Sequence, residues 1–312
     1  MDLDLGAVRA FIAVVDDRHF GDAAVRLGIS QQAVSKRIAK LETDLGAPLL
    51  HRTRGGAEPT DDGLSFLVHA RTLVDLADRA VDLVRGRSRA LRVDVMSTRV
   101  ASADLIRRFH ETAPEVEIDV ATSTDGLAGG LPALVRGSID AFISRATGDL
   151  GEVEALPAYL EPMHILVGRG HPLAGADRVA MADLAGLSAW IPGARRPETE
   201  WADFYRELSA EFGVEIATSG PSFGFDDEVD RIAASPDLFT FVGERSRVPW
   251  TRGAVQIPIV DPTVLFPWSL LWHPRNRHPV LPRLIAHLRD GFRPHRPGHE
   301  WLPPADRPFW TR

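Results

Sequence analysis

Residues 30–42 read Ser30-Gln31-Gln32-Ala33-Val34-Ser35-Lys36-Arg37-Ile38-Ala39-Lys40-Leu41-Glu42, and this stretch decides how the first part of the chain is built. At about 100° per residue, Val34, Ile38, Leu41 and Leu45 fall within an arc of roughly 60°. Gln32, Ser35, Lys36, Ala39 and Thr43 lie on the opposite side, with Lys40 at its edge. The outward face is therefore polar and cationic, with a small alanine at its centre. A helix that enters the major groove needs that profile: amides and hydroxyls for base edges, lysine for phosphate or guanine, and no bulk to block approach.

Periodicity alone fits any amphipathic surface helix, so the surroundings decide. A short helical segment, Asp22 to Leu27, ends at Gly28, and Ser30 supplies an N-cap oxygen for the next helix. Gly46 and Pro48 close that helix. Upstream, Leu5, Val8, Ile12 and Val15 recur at helical spacing. Downstream, Leu49–Pro59 carries Gly55-Gly56 between short extended arms, the pattern of a hairpin, with Arg52 and Arg54 as its cations. Two helices joined by a tight turn and followed by a basic wing make a DNA-reading module. Thr60 caps a further helix running to about Arg87, with Leu64, Leu67, Leu73 or Val74, Ala77, Val81 and Val84 as a stripe for packing on another helix.

The net charge of −7, taken over the whole chain, opposes a nucleic-acid partner. Only the presented face matters, however. Within residues 30–55, Lys36, Arg37, Lys40, Arg52 and Arg54 outnumber Glu42 and Asp44, a local charge of +3. The 312 residues are enough for more than one core, and an absence of cysteine excludes disulfides, thiol catalysis and Cys-ligated zinc. Asp2 and Asp4 sit where a secretory signal needs positive charge, and no run of about 18 apolar residues occurs. A soluble cytoplasmic protein without membrane contact is expected.

From Leu91 the texture becomes alternating strands and helices. LRVDVM, EIDVAT, DAFIS, HILVGR, TFVG and WSLLW read as strands, and Ala103–Thr112, Glu200–Phe212 and Asp227–Ala234 as helices. This is an α/β pattern with mainly parallel sheets. The final 20 residues hold five prolines and little periodicity, so an extended arm over 291–312 is expected, ordered only if Trp301, Phe309 and Trp310 find a surface.

Two rival chemistries leave traces. Gly220-Pro221-Ser222-Phe223-Gly224 satisfies the nucleophile-elbow pattern, with Asp261 and His273 following in the order of a serine hydrolase. The match rests on three common residues, and Pro221 lacks an N–H where a strand should feed the elbow. His295, His299 and Glu300 have ligand spacing but lie in the proline-rich tail. No catalytic residue, metal or cofactor is assigned.

The sequence resembles the LysR-type transcriptional regulators. The resemblance rests on Phe11-Ile12-Ala13-Val14-Val15, His19-Phe20-Gly21-Asp22-Ala23-Ala24, Leu27, Ser30-Gln31, Ala33-Val34-Ser35, Ile38, Leu41-Glu42, Leu45-Gly46, Leu49-Leu50 and Arg52. It continues in Thr60 and Gly63, then in His171-Pro172-Leu173-Ala174 and Asp183-Leu184-Ala185-Gly186. Gly21 departs from the usual Ser or Thr N-cap, Gln32 from Pro, and Gly129-Gly130-Leu131-Pro132 from a usual helix.

The resemblance implies a winged helix-turn-helix over 1–59, a linker helix for dimerisation over 60–88 and an effector domain over 91–290. That domain would resemble a periplasmic-binding-protein fold, with subdomain one at 91–161 and 267–290, subdomain two at 162–266, and two crossing strands between. Double-stranded operator DNA would be read by Ser30, Gln31, Gln32, Ser35, Lys36, Lys40, Arg52 and Arg54. A small-molecule effector would bind at Ser97, Thr98, Arg99, Ser123, Thr124, Arg196 and Phe223, and bias a homodimer or homotetramer on DNA. Short hydroxyl residues at helix N-termini suit a carboxylate, so an anionic effector is expected.

Overall fold

The computed structural model describes residues 3–53, 56–85, 89–122, 125–221, 223–248 and 253–311, and the chain divides into two units, Met1–Arg89 and Ala90–Arg312. The first holds α1 (Leu5–Asp17), α2 (Phe20–Leu27), α3 (Gln31–Leu45), β1 (Leu50–Thr53), β2 (Gly56–Pro59) and α4 (Asp61–Arg85).

Helix α1 is buried on two sides rather than along one stripe. Ala10, Ala13 and Val14 pack with Phe20, Ala23, Ala24, Val34 and Ile38 of α2 and α3. Ala7, Val8 and Phe11 pack with Leu41, Leu49 and Ala70. Leu5, expected in the apolar stripe, is 39% exposed. Small residues dominate because two neighbours crowd one helix, and alanine lets both approach.

The punctuation follows the chain chemistry. Ser30 Oγ accepts from Ala33 N–H, and Gly28 and Gly46 end their helices at φ 65° and 73°. Helix α2 starts earlier than its sequence suggests. His19, not position 21, is its N-cap, with Nδ1 accepting from Gly21 N–H at 3.1 Å. The expectation that Gly21 stands at a vacant cap position is corrected accordingly.

Strands β1 and β2 pair antiparallel, Leu50 opposite Pro59 and Thr53 opposite Gly56. Ala57 N–H donates to Arg18 C=O at 2.9 Å, which docks the hairpin on the α1–α2 corner. Gly56, at φ 141°, lies so close that a Cβ would stand 2.0 Å from that carbonyl oxygen. Only glycine fits. Thr60 Oγ1 accepts from Gly63 N–H and starts α4. Helix α4 then lies on α1 through Phe66, Leu67, Ala70 and Val74, with Arg9–Asp78 and Arg71–Asp16 ion pairs beside the seam.

The second unit holds β3 (Leu91–Val95), α5 (Ala101–Thr112), β4 (Ile118–Thr122), α6 (Gly126–Val135), β5 (Ala141–Ser144), β6 (Glu154–Gly168), β7 (Val179–Ala180) and β8 (Ser188–Trp190). It continues with α7 (Glu200–Phe212), β9 (Glu215–Ala217), α8 (Phe225–Ala234), β10 (Phe239–Gly243), β11 (Ala254–Val260), β12 (Thr263–Trp272), α9 (Leu281–Asp290) and β13 (Glu300–Trp301). The main strand order is β4-β3-β5-β12-β6-β10-β8-β9.

Parallel pairing holds within each half, β3 with β4 and β5, and β8 with β9 and β10. The join between the halves is antiparallel, so the sheet is mixed rather than mainly parallel. Long strands β6 and β12 pair from Leu265↔Pro162 to Trp272↔Glu154, and beyond Pro162 strand β6 turns to β10 and β11 as partners. At this changeover Glu161 is 1% exposed, accepting from Trp268 Nε1–H at 2.6 Å and Arg245 N–H at 3.0 Å. The Gly129–Pro132 stretch stays helical within α6, with Pro132 inside the helix. Gly130 faces Phe142, whose ring would stand 2.5 Å from a Cβ there.

The last residues do not hang free as an arm. Strand β13 pairs with β12, and Trp310 is 1% exposed among Leu160, Leu265 and Leu302, stacked with Phe292 at 6.0 Å. Aromatic burial supplies the surface that composition could not reveal. Phe309 stays 36% exposed.

Candidate DNA interface and effector cleft

Helix α3 buries Val34, Ile38 and Leu41 and leaves Gln31, Gln32, Lys36, Ala39, Lys40 and Thr43 exposed, with Ser35 half-buried. Lys40 Nζ lies 2.6 Å from Asp44 Oδ2, one turn on, so part of its charge is answered within the helix. Glu42 faces the wing: its Oε1 accepts from Leu49 and Leu50 N–H at 2.8 and 3.1 Å. The one acidic residue in the motif thus fixes the wing to α3. Arg52 stands on β1 opposite Ala57, and Arg54 lies outside the described residues.

Among the described residues, the expected effector positions line more than one surface. Thr98 is exposed and lines a groove of about 250 Å³ with Ala103, Ile106, Arg107, Ile118 and Val120, between α5 and the edge strand β4. Ser97 Oγ accepts from Arg99 N–H at 3.2 Å, closing a local turn. Phe223 is 76% exposed. Ser123 and Thr124, like Ser222, lie outside the described residues.

A second cavity of about 250 Å³ lies where the halves of this unit meet, lined by Met96, Phe142 and Ser144 from one side and Arg196, Thr199, Glu200 and Trp201 from the other. Of the expected residues that are described, it takes in Arg196. Met96, two residues before Thr98, points here instead, which is why neighbouring positions serve different grooves. Thr199 caps α7, its Oγ1 accepting from Ala202 N–H. Glu200, the first residue of that helix, is 4% exposed and reaches across the junction. Its Oε1 accepts from Ser144 Oγ–H and its Oε2 from Leu127 N–H at 3.1 Å. Helix α6 has no side-chain cap of its own, so Glu200 fills its N-terminus.

The N-terminal end of α6, one of the helix ends expected to attract an anion, already holds the chain's own carboxylate. The cations named for it are also engaged: Arg196 Nη1 lies 2.7 Å from Asp125 Oδ1, and Arg99 Nη2 lies 2.8 Å from Asp226 Oδ2. In sequence Glu200 looks like an ordinary acidic residue in a first helical turn, so nothing there marks it as a cavity wall.

Beside the cavity, Arg145 is wholly buried and bonded to Asp203, Glu207 and Asp306 at 3.0, 2.6 and 2.9 Å. Burial pushes the Asp306 carboxyl up to about 6 despite Arg145, because Glu207 and Asp203 share the same guanidinium.

Of the rival chemistries, Ser222 lies outside the described residues, and the described partners have other contacts. His273 Nδ1 accepts from Arg275 N–H at 3.1 Å, and its Nε2 faces Glu152 Oε2 at 3.7 Å rather than Asp261. Glu300 gives its carboxylate to Arg293 and Arg296, and His295 Nε2 meets Glu300 C=O. No helix among the described residues is long and apolar enough to cross a membrane.

Residues 5–64 match the model of the bacterial regulatory helix-turn-helix protein, lysR family, and residues 85–293 that of the LysR substrate binding domain. An uncharacterized HTH-type transcriptional regulator of Escherichia coli K12, YnfL, is 32% identical over 192 residues, 59% of this chain and 64% of its own length. The chain therefore spans under two thirds of that relative. TcbR of Pseudomonas sp. strain P51 is 26% identical over 303 residues, covering 92% of this chain and 98% of TcbR. Among solved structures, CbnR complexed with its target DNA superposes with a TM-score of 0.71 at 23% identity, over 92% of this chain and 99% of CbnR. With both models covering most of its length, the chain belongs to the LysR family of bacterial regulatory helix-turn-helix proteins.

Proposed function

We propose that the protein is a ligand-responsive transcriptional regulator that acts in the cytoplasm. It binds operator DNA through α3 and the β1–β2 wing, and a small-molecule effector in the cavity between the halves of the second unit. The observation that carries this reading is the outward face of α3, where Gln31, Gln32, Lys36 and Ala39 stand exposed over a fully apolar inner face. Gln32, Ser35 and Lys36 read base edges, while Lys40, Arg52 and Arg54 hold phosphates. Ser30 and Gln31 set the helix N-terminus against the backbone. CbnR, a family structure with the same fold, is complexed with its target DNA, which supports this assignment.

The protein works as a homodimer or a tetramer built from dimers. Besides the face that meets α1, helix α4 exposes Leu64, Val68, Leu73, Leu76 and Val81, of which Leu73 and Leu76 share one face with His69 and Ala80 at three- and four-residue spacing. That seam is the surface through which two α4 helices pair. Ligand binding favours one arrangement of the two halves and so shifts the population of DNA-competent dimers.

Selection of duplexes from a random library by the full-length chain tests the proposal. The expected product is an inverted repeat whose half-sites lie about ten base pairs, or a multiple, apart. Recovery of unrelated sequences, or of none above background, contradicts it.

A further inference from the structure

We infer that the effector this chain recognises is a cation: a small protonated amine on an apolar body, held by Glu200. The inference rests on the cavity being the effector site, as proposed above, and adds the chemistry of what enters.

Glu200 carries the argument. It lines the cavity, it is 4% exposed, and no cationic side chain stands within ion-pair distance of it among the described residues. Its hydrogen-bond partners are neutral, the Ser144 hydroxyl and the Leu127 amide. A carboxylate offers about four lone-pair directions, so those two donors leave acceptor capacity for a ligand. A buried carboxylate without a counter-charge is costly, and a ligand that brings an ammonium group relieves that cost.

The neighbouring arginines do not offset this. Arg196 at the rim is 2.7 Å from Asp125, and Arg145 is consumed by Asp203, Glu207 and Asp306. An entering carboxylate would meet the Glu200 carboxylate in the same wall, where the two nearby cations are already engaged, Arg196 by Asp125 and Arg145 by Asp203, Glu207, Asp306 and the Glu200 C=O.

The rest of the wall suits the apolar part of such a ligand. Met96, Phe142 and Trp201 line the space, and an aromatic face within about 6 Å attracts a cation further. A volume of about 250 Å³ lies below the usual range for ligand pockets, which limits the guest to small molecules. Gly126, at φ 55°, lets α6 approach so closely that a Cβ would stand 2.3 Å from Glu200 Oε2. The carboxylate is thereby fixed in place rather than left to swing into solvent.

The test uses the full-length protein and a panel of small primary amines, among them benzylamine and phenethylamine, each matched to its carboxylate and alcohol counterpart. Calorimetry at pH 7 measures binding to the parent, to Glu200→Gln and to Gly193→Phe. Gly193 lines the cavity and has open space around its Cβ position, so a phenylalanine there is a substitution designed to obstruct the site. The expected result is saturable binding of one or more amines, no binding of the matched carboxylates, and affinity at least ten-fold weaker in both variants. Carboxylates or alcohols that bind the parent, are blocked by Gly193→Phe and ignore Glu200→Gln would overturn the cation and leave the cavity standing. Ligands untouched by Gly193→Phe would overturn the cavity itself. No amine binding up to 10 mM also overturns the inference. If Glu200→Gln fails to fold, by circular dichroism, the charge series on the parent decides.

Discussion

Replacing Trp310 with alanine tests whether the last residues belong to the second unit's core. The indole is 1% exposed and packs with Leu160 of β6, Leu265 of β12 and Leu302, with Phe292 stacked on it at 6.0 Å. Truncating a fully buried Trp costs about 3–5 kcal/mol, because lost burial and the cavity left behind add together. That is a large share of the 5–15 kcal/mol that stabilises a typical domain. Native-state hydrogen exchange of the full chain reads the effect element by element. Amides of β6 and β12 that exchange through unfolding of this unit should lose protection by about 100-fold or more, at roughly ten-fold per 1.4 kcal/mol. Amides of α1, α2 and α3 act as the internal control and should not change. Trp310→Phe, which keeps much of the apolar volume, should recover a good part of the loss. If protection in β6 and β12 falls by less than about five-fold, roughly 1 kcal/mol, the tail is an appendage and the packing argument fails.

Other perturbations probe separate parts of the molecule. Burial pushes the Glu161 carboxyl up to about 7, so between about pH 5 and 7 the folded protein keeps a proton that the unfolded chain has released. Stability should fall as pH rises through that window, by up to about 3 kcal/mol, and Glu161→Gln should flatten the slope when urea midpoints at pH 5 and 8 are compared. At Gly63, alanine would normally favour a helix by about 1 kcal/mol, yet its Cβ would lie 2.1 Å from Leu49 C=O. Thermal unfolding of Gly63→Ala should therefore show a loss of about 1–3 kcal/mol, and a gain would refute the close approach. Leu73→Glu with Val81→Glu places charge on two exposed apolar positions of α4, and light scattering should then report a monomer with weakened DNA binding.

The N-terminal unit was largely legible in the sequence because its signals are local. Ser30, Gly28 and Gly46 act within a turn of where they stand, and the inner face of α3 follows from helical spacing alone. The two-sided burial of α1 was not legible, because the small residues that permit it have no strong hydrophobic period. In the second unit the helices after strands could be found, but which strand-end residues share a cavity depends on how the halves meet. Met96 turns to the junction while Thr98 turns to the α5–β4 groove. Glu200 and Arg145 escaped notice for the same reason: partners 55 to 161 residues away decide their roles. The tail's order was legible only as a condition, because prolines dominate its composition while the burial of Trp301 and Trp310 depends on a surface the sequence does not locate.

The central claim is that the outward face of α3 reads DNA sequence. Its most direct test is footprinting of the selected operator with the parent and with Gln32→Ala combined with Lys36→Ala, at fixed salt. Both side chains are exposed on α3, away from Val34, Ile38 and Leu41, so the variant should fold and dimerise as the parent does. A bidentate base contact carries about 1–3 kcal/mol of discrimination, so the operator footprint should vanish while weak, salt-sensitive binding to any duplex persists. A double variant that protects the operator like the parent would contradict the account.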